Sequence, residues 1–127
     1  MHAREAPANA EAIGPLRRWV EGICADAGGS CRQRADVALA VSEALSNVVM
    51  HAYVGRALPG SMRVRTATAD HRLLVEVEDD GIGICPREDS PGGGMGLALM
   101  ALLSVDLELG AGSTGHGALV KMAFSLA

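Results

Sequence analysis

The sequence is poor in the residues that proteins use to bind ligands by ring stacking or by clustered positive charge. It has one Phe, one Trp and one Tyr, so binding between stacked aromatic rings is disfavoured. Lys121 is the only lysine and the motif G-x-x-x-x-G-K-[ST] is absent, which excludes a P-loop. With a formal net charge of -4 and no basic cluster, the chain lacks the electrostatic footprint of a nucleic-acid-binding protein.

Cysteines and long apolar runs are also scarce. The 3 cysteines show no C-x-x-C spacing, which argues against a disulfide framework or a zinc site and fits a reducing cytosol. No apolar run approaches the ~18 residues of a transmembrane helix, and the N-terminus has no signal-peptide pattern. We therefore expect a cytoplasmic protein with one domain over residues 1–127, an aliphatic core, and a loose segment or at most a frayed edge strand at residues 1–9.

The strongest pattern in the chain predicts an amphipathic helix over Asp36–Tyr53. Its apolar residues fall on one arc, which is typical of a helix that faces a core. Glu43, Asn47 and His51 follow each other at i, i+4 and i+8, so they form a polar stripe along the flank of that arc. Alone, such a stripe is most often a solvated helix face, but two glycine-rich signals follow it in the chain.

Turn residues and periodicity predict the other elements. A helix is predicted over Ala10–Ala27, ended by two glycines, with a connector at Ser30–Arg34 and Asp36 as the cap of the next helix. The elements predicted after the long helix are strands at Met62–Ala67 and Leu73–Glu78, a mobile lid at Ile84–Gly93, a short buried helix at Leu97–Leu103, and strands at Val105–Leu109 and Ala118–Leu126. This order favours an α+β fold: a two-layer sandwich with helices on one face of a mixed, mostly antiparallel sheet.

Asp79 lies at the end of the second predicted strand and is followed by Gly81 and Gly83. The two glycines let a planar ligand approach the backbone, while the carboxylate accepts a hydrogen bond from an amino group such as that of adenine. An ordinary acidic turn and metal ligation by Asp79 and Asp80 are the alternatives. Metal ligation leaves the paired glycines unexplained.

The second glycine-rich signal, Gly94-Met95-Gly96, directly precedes a predicted helix. Free backbone N–H groups at the positive end of a helix form an anion site, so a phosphate fits here without a lysine. The Asn47 carboxamide offers a neutral oxygen to a Mg²⁺ ion whose other ligands are water and phosphate. Glu43, one turn earlier, is placed to take a proton from an attacking hydroxyl group or water.

Together these segments resemble the motifs of the GHKL ATPases, the superfamily of gyrase, Hsp90, histidine kinases and MutL. SEALSNVVMHAY resembles the N box, VEDDGIGI the D-x-G-x-G box, and GGGMGLALM the glycine box. Within this superfamily, the short chain and the forms of the first and third boxes are similar to the bacterial anti-sigma-factor serine/threonine kinases. The resemblance covers roughly residues 16–127 and implies the Bergerat ATP-binding fold with ATP and Mg²⁺ as cofactors.

The resemblance also implies roles for single residues. Glu43 is expected to be the general base, Asn47 the Mg²⁺ ligand, and Asp79 the carboxylate that reads adenine. The other nucleotide-binding positions that it implies are Gly81, Gly83, Gly94, Met95, Gly96 and Leu97. The family often has Gly-Thr where this chain has Gly117-Ala118, so one hydrogen bond that supports the adenine site is expected to be missing.

Three functions are compatible with these residues. The favoured one is an ATP-dependent anti-sigma factor that phosphorylates a serine or threonine of a STAS-type anti-anti-sigma factor and sequesters a sigma factor. Such a protein is expected to be a homodimer that does not bind nucleic acid or membrane directly. The second is a non-catalytic ATP-binding switch, which would not need a base at Glu43. The third is a metal-dependent hydrolase using Glu43, Asp79 and Asp80, disfavoured because His, Asp and Glu ligands do not cluster at metal spacing.

Overall fold

Three helices and five strands make up the part of the chain that the structure describes. The computed structural model describes residues 1–55, 58, 60–81, 93–113 and 115–126, with residues 93–95 by their backbone alone. The helices are α1 (Ala10–Asp26), α2 (Cys31–Asn47), which continues into a π-helical turn (Val48–Ala52), and α3 (Gly93–Leu103). The strands are β1 (His2–Pro7), β2 (Ser61–Ala69), β3 (Arg72–Asp79), β4 (Asp106–Gly110) and β5 (Leu119–Ser125).

The strands form one sheet in the order β1-β2-β3-β5-β4. Each ladder between the described strands is antiparallel. The buried apolar residues of the three inner strands alternate along each strand, as expected for a sheet covered on one face: Met62, Val64, Leu73, Val75, Val77, Val120, Met122 and Phe124. The predicted two-layer α+β sandwich is confirmed, and the helices supply the second layer.

The core between the layers is aliphatic, as the composition predicts. Helix α2 contributes most to it, since Val37, Val41 and Leu45 are completely buried at helical spacing. Met62 and Met100 fill the space between sheet and helices with flexible thioether side chains. Burying side chains of this size stabilises the fold by about 1.5–3 kcal/mol each.

The N-terminal segment forms an edge strand, which is the second of the two expectations, and it is not loose. Strand β1 pairs with β2 from His2 opposite Thr66 to Pro7 opposite Ser61. Most of its side chains are exposed, which removes the apolar alternation from its sequence. The backbone ladder to β2, instead of an apolar face, holds this strand in place.

Helix α2 begins earlier than predicted, because its cap is Ser30 and not Asp36. The Ser30 hydroxyl accepts a hydrogen bond from the Gln33 backbone N–H at 3.1 Å, and the Gln33 side chain accepts one from the Ser30 N–H at 2.8 Å. This is a capping box, which satisfies two backbone donors at the helix start. Its signal, Ser-x-x-Gln, was present in the stretch predicted to be a connector.

Helix α3 also begins earlier than predicted, at Gly93 and not at Leu97. The glycine signal therefore lies within the first turn of the helix and not in front of it. The helix is buried on one side only: Met100 is completely buried, whereas Leu102 is 80% exposed. Apart from Gly93, the predicted lid lies outside the described residues.

Candidate nucleotide-binding site

The polar stripe of α2 lies against the first turn of α3. Glu43 and Asn47 are half-buried on the side of α2 that meets α3. A Cβ atom built on Gly96 would lie 3.3 Å from Glu43 Oε2 and 3.4 Å from Asn47 Nδ2. The fold thus brings the predicted base, the predicted metal ligand and the glycine signal together, although Gly96 lies 49 positions after Asn47 in the sequence.

The end of the same helix lies against the turn that follows β3. Directly after Asn47 the helix widens into the π-helical turn Val48–Ala52, a distortion that is frequent at functional sites. A Cβ atom on Gly81 would lie 1.9 Å from the carbonyl oxygen of Ala52, which no side chain could tolerate. Gly81 is therefore required for the close approach of the turn to the helix.

Asp79 is the buried carboxylate of the site, with only 3% of its surface exposed. Its Oδ1 atom accepts hydrogen bonds from the backbone N–H groups of Gly81 at 2.9 Å and Ala118 at 3.3 Å. Burial raises the pKa of Asp79 above its ordinary value of 3.8, although these two hydrogen bonds act in the opposite direction. The two bonds also fix the orientation of the carboxyl group, which a carboxylate needs if it is to accept a hydrogen bond from one particular donor of a ligand.

The Gly117-Ala118 step supports Asp79 through its backbone. The Ala118 N–H donates to the Asp79 side chain, and the Asp79 N–H donates to the Ala118 carbonyl oxygen at 3.0 Å. Gly117 has a φ of +72°, and a Cβ atom on it would lie 2.0 Å from the Asp79 carbonyl oxygen. Ala118 thus lacks the hydroxyl group of the threonine that the GHKL family often has at this position, but its backbone N–H still donates one hydrogen bond to the Asp79 carboxylate.

Sequence reasoning missed Glu78, which lies beside Asp79 and points to the other face of the sheet. Its side chain is 1% exposed, pairs with Arg65 Nη2 at 2.9 Å and accepts a hydrogen bond from the Ser113 backbone N–H. Although burial opposes ionisation, the hydrogen bonds from Ser113 and the pairing with Arg65 lower the pKa of Glu78 to about 2. Alternating arginines on β2 opposite alternating glutamates on β3 were the signal that could have revealed it.

A comparison with protein families identifies this arrangement. Residues 6–124 match the family described as the histidine kinase-like ATPase domain. The chain belongs to the histidine kinase-like ATPase family. The buried Asp79 and the contact of Gly96 with the α2 stripe lie within the matched residues of this ATPase domain.

Two relatives and one solved structure are similar to this ATPase domain. The "Serine-protein kinase RsbW" of Bacillus licheniformis is 36% identical over 77 residues, which cover 61% of this chain and 48% of that protein. The "Anti-sigma F factor" of Caldanaerobacter subterraneus is 30% identical over 117 residues, covering 84% and 80%. The structure of the RsbU and RsbW domains of Rv1364c from Mycobacterium tuberculosis has a TM-score of 0.74 at 22% identity, covering 98% of this chain and 32% of that one. The chain spans about half the length of the first relative, and the likeness to the mycobacterial structure concerns the fold.

Not every predicted site residue of the ATPase domain is placed by the structure. Gly83 lies outside the described residues, and Gly94 and Met95 are described by their backbone in the first turn of α3. Leu97 is half-buried, and its side chain packs against the apolar core.

The residues at the site fit a Mg-nucleotide better than a metal held by protein ligands alone. Among the described residues, no three side chains of His, Cys, Asp or Glu come together as metal ligands. The carboxylate of Asp80 is engaged by Arg63 through two hydrogen bonds of 2.9 Å, which disfavours a metal shared with Asp79. Instead, the Asn47 carboxamide, the glycine-rich start of α3 and the buried Asp79 carboxylate match the magnesium ion, the phosphates and the adenine of a Mg-nucleotide.

In the described residues, none of the helices has the length and apolarity to cross a membrane.

Proposed function

We propose that this domain binds Mg·ATP and is a protein serine/threonine kinase that phosphorylates an anti-anti-sigma factor and sequesters a sigma factor in the cytoplasm. The observation that carries the proposal is the position of Gly96, where an added Cβ atom would lie 3.3 Å from Glu43 Oε2 and 3.4 Å from Asn47 Nδ2. It supports the proposal because the proposed base and the proposed metal ligand then lie together at a glycine-rich helix start. The names of the two relatives, a serine-protein kinase and an anti-sigma factor, support it. We further propose that the chain forms the homodimer expected from the resemblance.

Each residue has one task in this proposal. The Asp79 carboxylate accepts a hydrogen bond from the adenine amino group, and Gly81 keeps the backbone close to the base. The Asn47 carbonyl oxygen binds the magnesium ion, and the backbone N–H groups in the first turn of α3 bind phosphate oxygens. When bound, Mg·ATP supplies the phosphoryl group and neutralises its charge. Glu43 takes the proton from the hydroxyl group of the incoming serine.

The experiment that tests the kinase is the substitution Glu43→Gln, which keeps the shape of the side chain and removes its basicity. Transfer of labelled phosphate from ATP to a STAS-type partner should fall by about 10²–10⁴-fold, as for loss of a general base. The affinity for ATP should be equal or higher, because a negative charge near the triphosphate is removed. Glu11→Gln, on the exposed start of α1, is the control and should retain the wild-type rate.

Two results would redirect the proposal. If Glu43→Gln transfers phosphate at the wild-type rate, Glu43 is only a helix-face carboxylate. If the wild-type protein binds ATP but phosphorylates none of the STAS-type proteins of its own cell, the non-catalytic ATP-binding switch becomes the better description. Sedimentation of the purified chain tests the homodimer separately, and a monomer at micromolar concentration would contradict it.

A further inference from the structure

Tyr53, the last residue of the N box, binds two distant parts of the backbone through one hydroxyl group. The hydroxyl donates a hydrogen bond to the Ser61 carbonyl oxygen at 2.5 Å and accepts one from the Asp80 backbone N–H at 2.9 Å. The side chain is nearly buried, with 8% exposure. A single phenol thus connects the end of the α2 helix to the start of β2 and to the residue that follows Asp79.

The aromatic ring is as closely fitted as its hydroxyl group. A Cβ atom built on Gly60 would lie 2.2 Å from Tyr53 Cε1, so only glycine leaves space for the ring in this position. Gly60, directly before β2, therefore leaves the space that the ring of Tyr53 occupies. A ring held in this way has little freedom, and its hydroxyl group is aimed at the Asp80 N–H.

Arg63 binds the side chain of Asp80, the residue whose backbone N–H binds Tyr53. Its Nη1 and Nη2 atoms each lie 2.9 Å from one oxygen of the Asp80 carboxylate, which is a bidentate pair. The hydrogen bonding of Arg63 to the Asp80 carboxylate is the main cause that raises the pKa of Arg63 above its ordinary value. Asp80 is thus bound through its backbone by Tyr53 and through its side chain by Arg63.

We propose that Tyr53 and Arg63 are positioning residues that hold the turn Asp79–Gly81 in the geometry that presents the Asp79 carboxylate to adenine. The proposal rests on the proposed function, since it assigns these residues to the same nucleotide site. Neither residue needs to touch the ligand. Because Tyr53 ends the helix that carries Asn47, the metal ligand and the adenine-reading turn are parts of one rigid unit.

The test compares the affinities for ATP and ITP, whose bases differ in the amino group that Asp79 would read. A displaced turn loses the contact with the amino group, so Tyr53→Phe and Arg63→Met should each lower the ratio of ATP to ITP affinity about tenfold, the effect of one lost hydrogen bond of this kind. A residue that only stabilises the fold would change the melting temperature and leave this ratio unchanged. Titration calorimetry with each nucleotide and Mg²⁺ measures both affinities.

Arg65→Met is the matched control for Arg63→Met. Arg65 lies two residues further along β2, and its side chain pairs with Glu76 and Glu78. This variant should lose thermal stability and keep the wild-type ratio. A ratio that falls as far in Arg65→Met as in Arg63→Met would overturn the proposal, because the effect would then belong to the sheet in general.

The variant Asp79→Asn separates this inference from the proposed function. If Asp79→Asn keeps the wild-type ratio, Asp79 does not read the base and the adenine site fails, together with the inference. If Asp79→Asn loses discrimination but Tyr53→Phe or Arg63→Met retains it, the adenine site stands and the role of that positioning residue is overturned. Should Tyr53→Phe fail to fold, Arg63→Met decides the test.

Discussion

The buried carboxylate of Glu78 makes the stability of the fold depend on pH in a way that can be calculated. Its pKa is about 2 in the folded protein against an ordinary value of 4.5, and the difference corresponds to about 3 kcal/mol. Because the folded pKa is lowered, this contribution is complete above the ordinary pKa and is lost as the pH falls towards about 2. The substitution Glu78→Gln should remove it at neutral pH.

The size of this effect follows from the contacts of the side chain. Glu78 is almost completely buried, pairs with Arg65 at 2.9 Å and accepts a hydrogen bond from the Ser113 N–H. In Glu78→Gln, the Arg65 guanidinium and the Ser113 backbone N–H therefore face a neutral amide in place of a carboxylate. A loss of about 3 kcal/mol corresponds to a decrease in melting temperature of about 10 °C for a domain of this size.

Urea denaturation of both proteins from about pH 7 to about pH 3 measures the effect. The free energy of unfolding of the wild type should fall towards that of Glu78→Gln as the pH decreases, so that the two curves converge. Glu76→Gln is the matched control, because Glu76 also pairs with Arg65 at 3.0 Å but is 32% exposed, and it should cost less than about 1 kcal/mol. Equal losses in the two variants, or a constant difference between wild type and Glu78→Gln across this pH range, would refute the reasoning.

Three further predictions concern the nucleotide site. Gly81→Ala should destabilise the fold by about 1–3 kcal/mol and abolish ATP binding, because the new methyl group meets the Ala52 carbonyl oxygen; wild-type melting would contradict this. Gly96→Ala should keep or raise the stability of the fold, since alanine favours a helix by about 1 kcal/mol. It should nevertheless lower the rate of phosphate transfer, because the new methyl group displaces Glu43. An unchanged rate would show that the close approach of Gly96 to Glu43 has no role. ATP affinity should decrease on acidification with a midpoint above 3.8, since burial raises the pKa of Asp79 and its protonated form is a weaker acceptor for the amino group than the carboxylate. An affinity that calorimetry finds independent of pH down to 3.8 would exclude this role.

Local patterns were sufficient to predict most helices and strands of the ATPase fold, but not β1. The apolar arc of α2 and the alternation in β2 and β3 appear in the sequence because each buries one face, and one face of a helix or strand leaves a period in the sequence. The polar stripe at Glu43 and Asn47 was also visible for this reason. Where no face is buried, as in β1, periodicity is lacking, and the prediction of a loose segment failed.

The partners of the site residues could not be predicted in the same way, because they are joined by the register of the sheet and by the packing of helix ends. The hydroxyl of Tyr53 meets the N–H of Asp80 across 27 residues of chain, and the N–H of Ala118 meets Asp79 across 39. Neither contact leaves a local pattern in the sequence. The sequence by itself determined most of the helices and strands and the polar stripe at Glu43 and Asn47. Only the tertiary structure decided that Gly96 lies against Asn47, and that Tyr53 binds the turn beside the buried Asp79, because hydrogen bonds and close contacts between distant segments exist only after the two layers have packed.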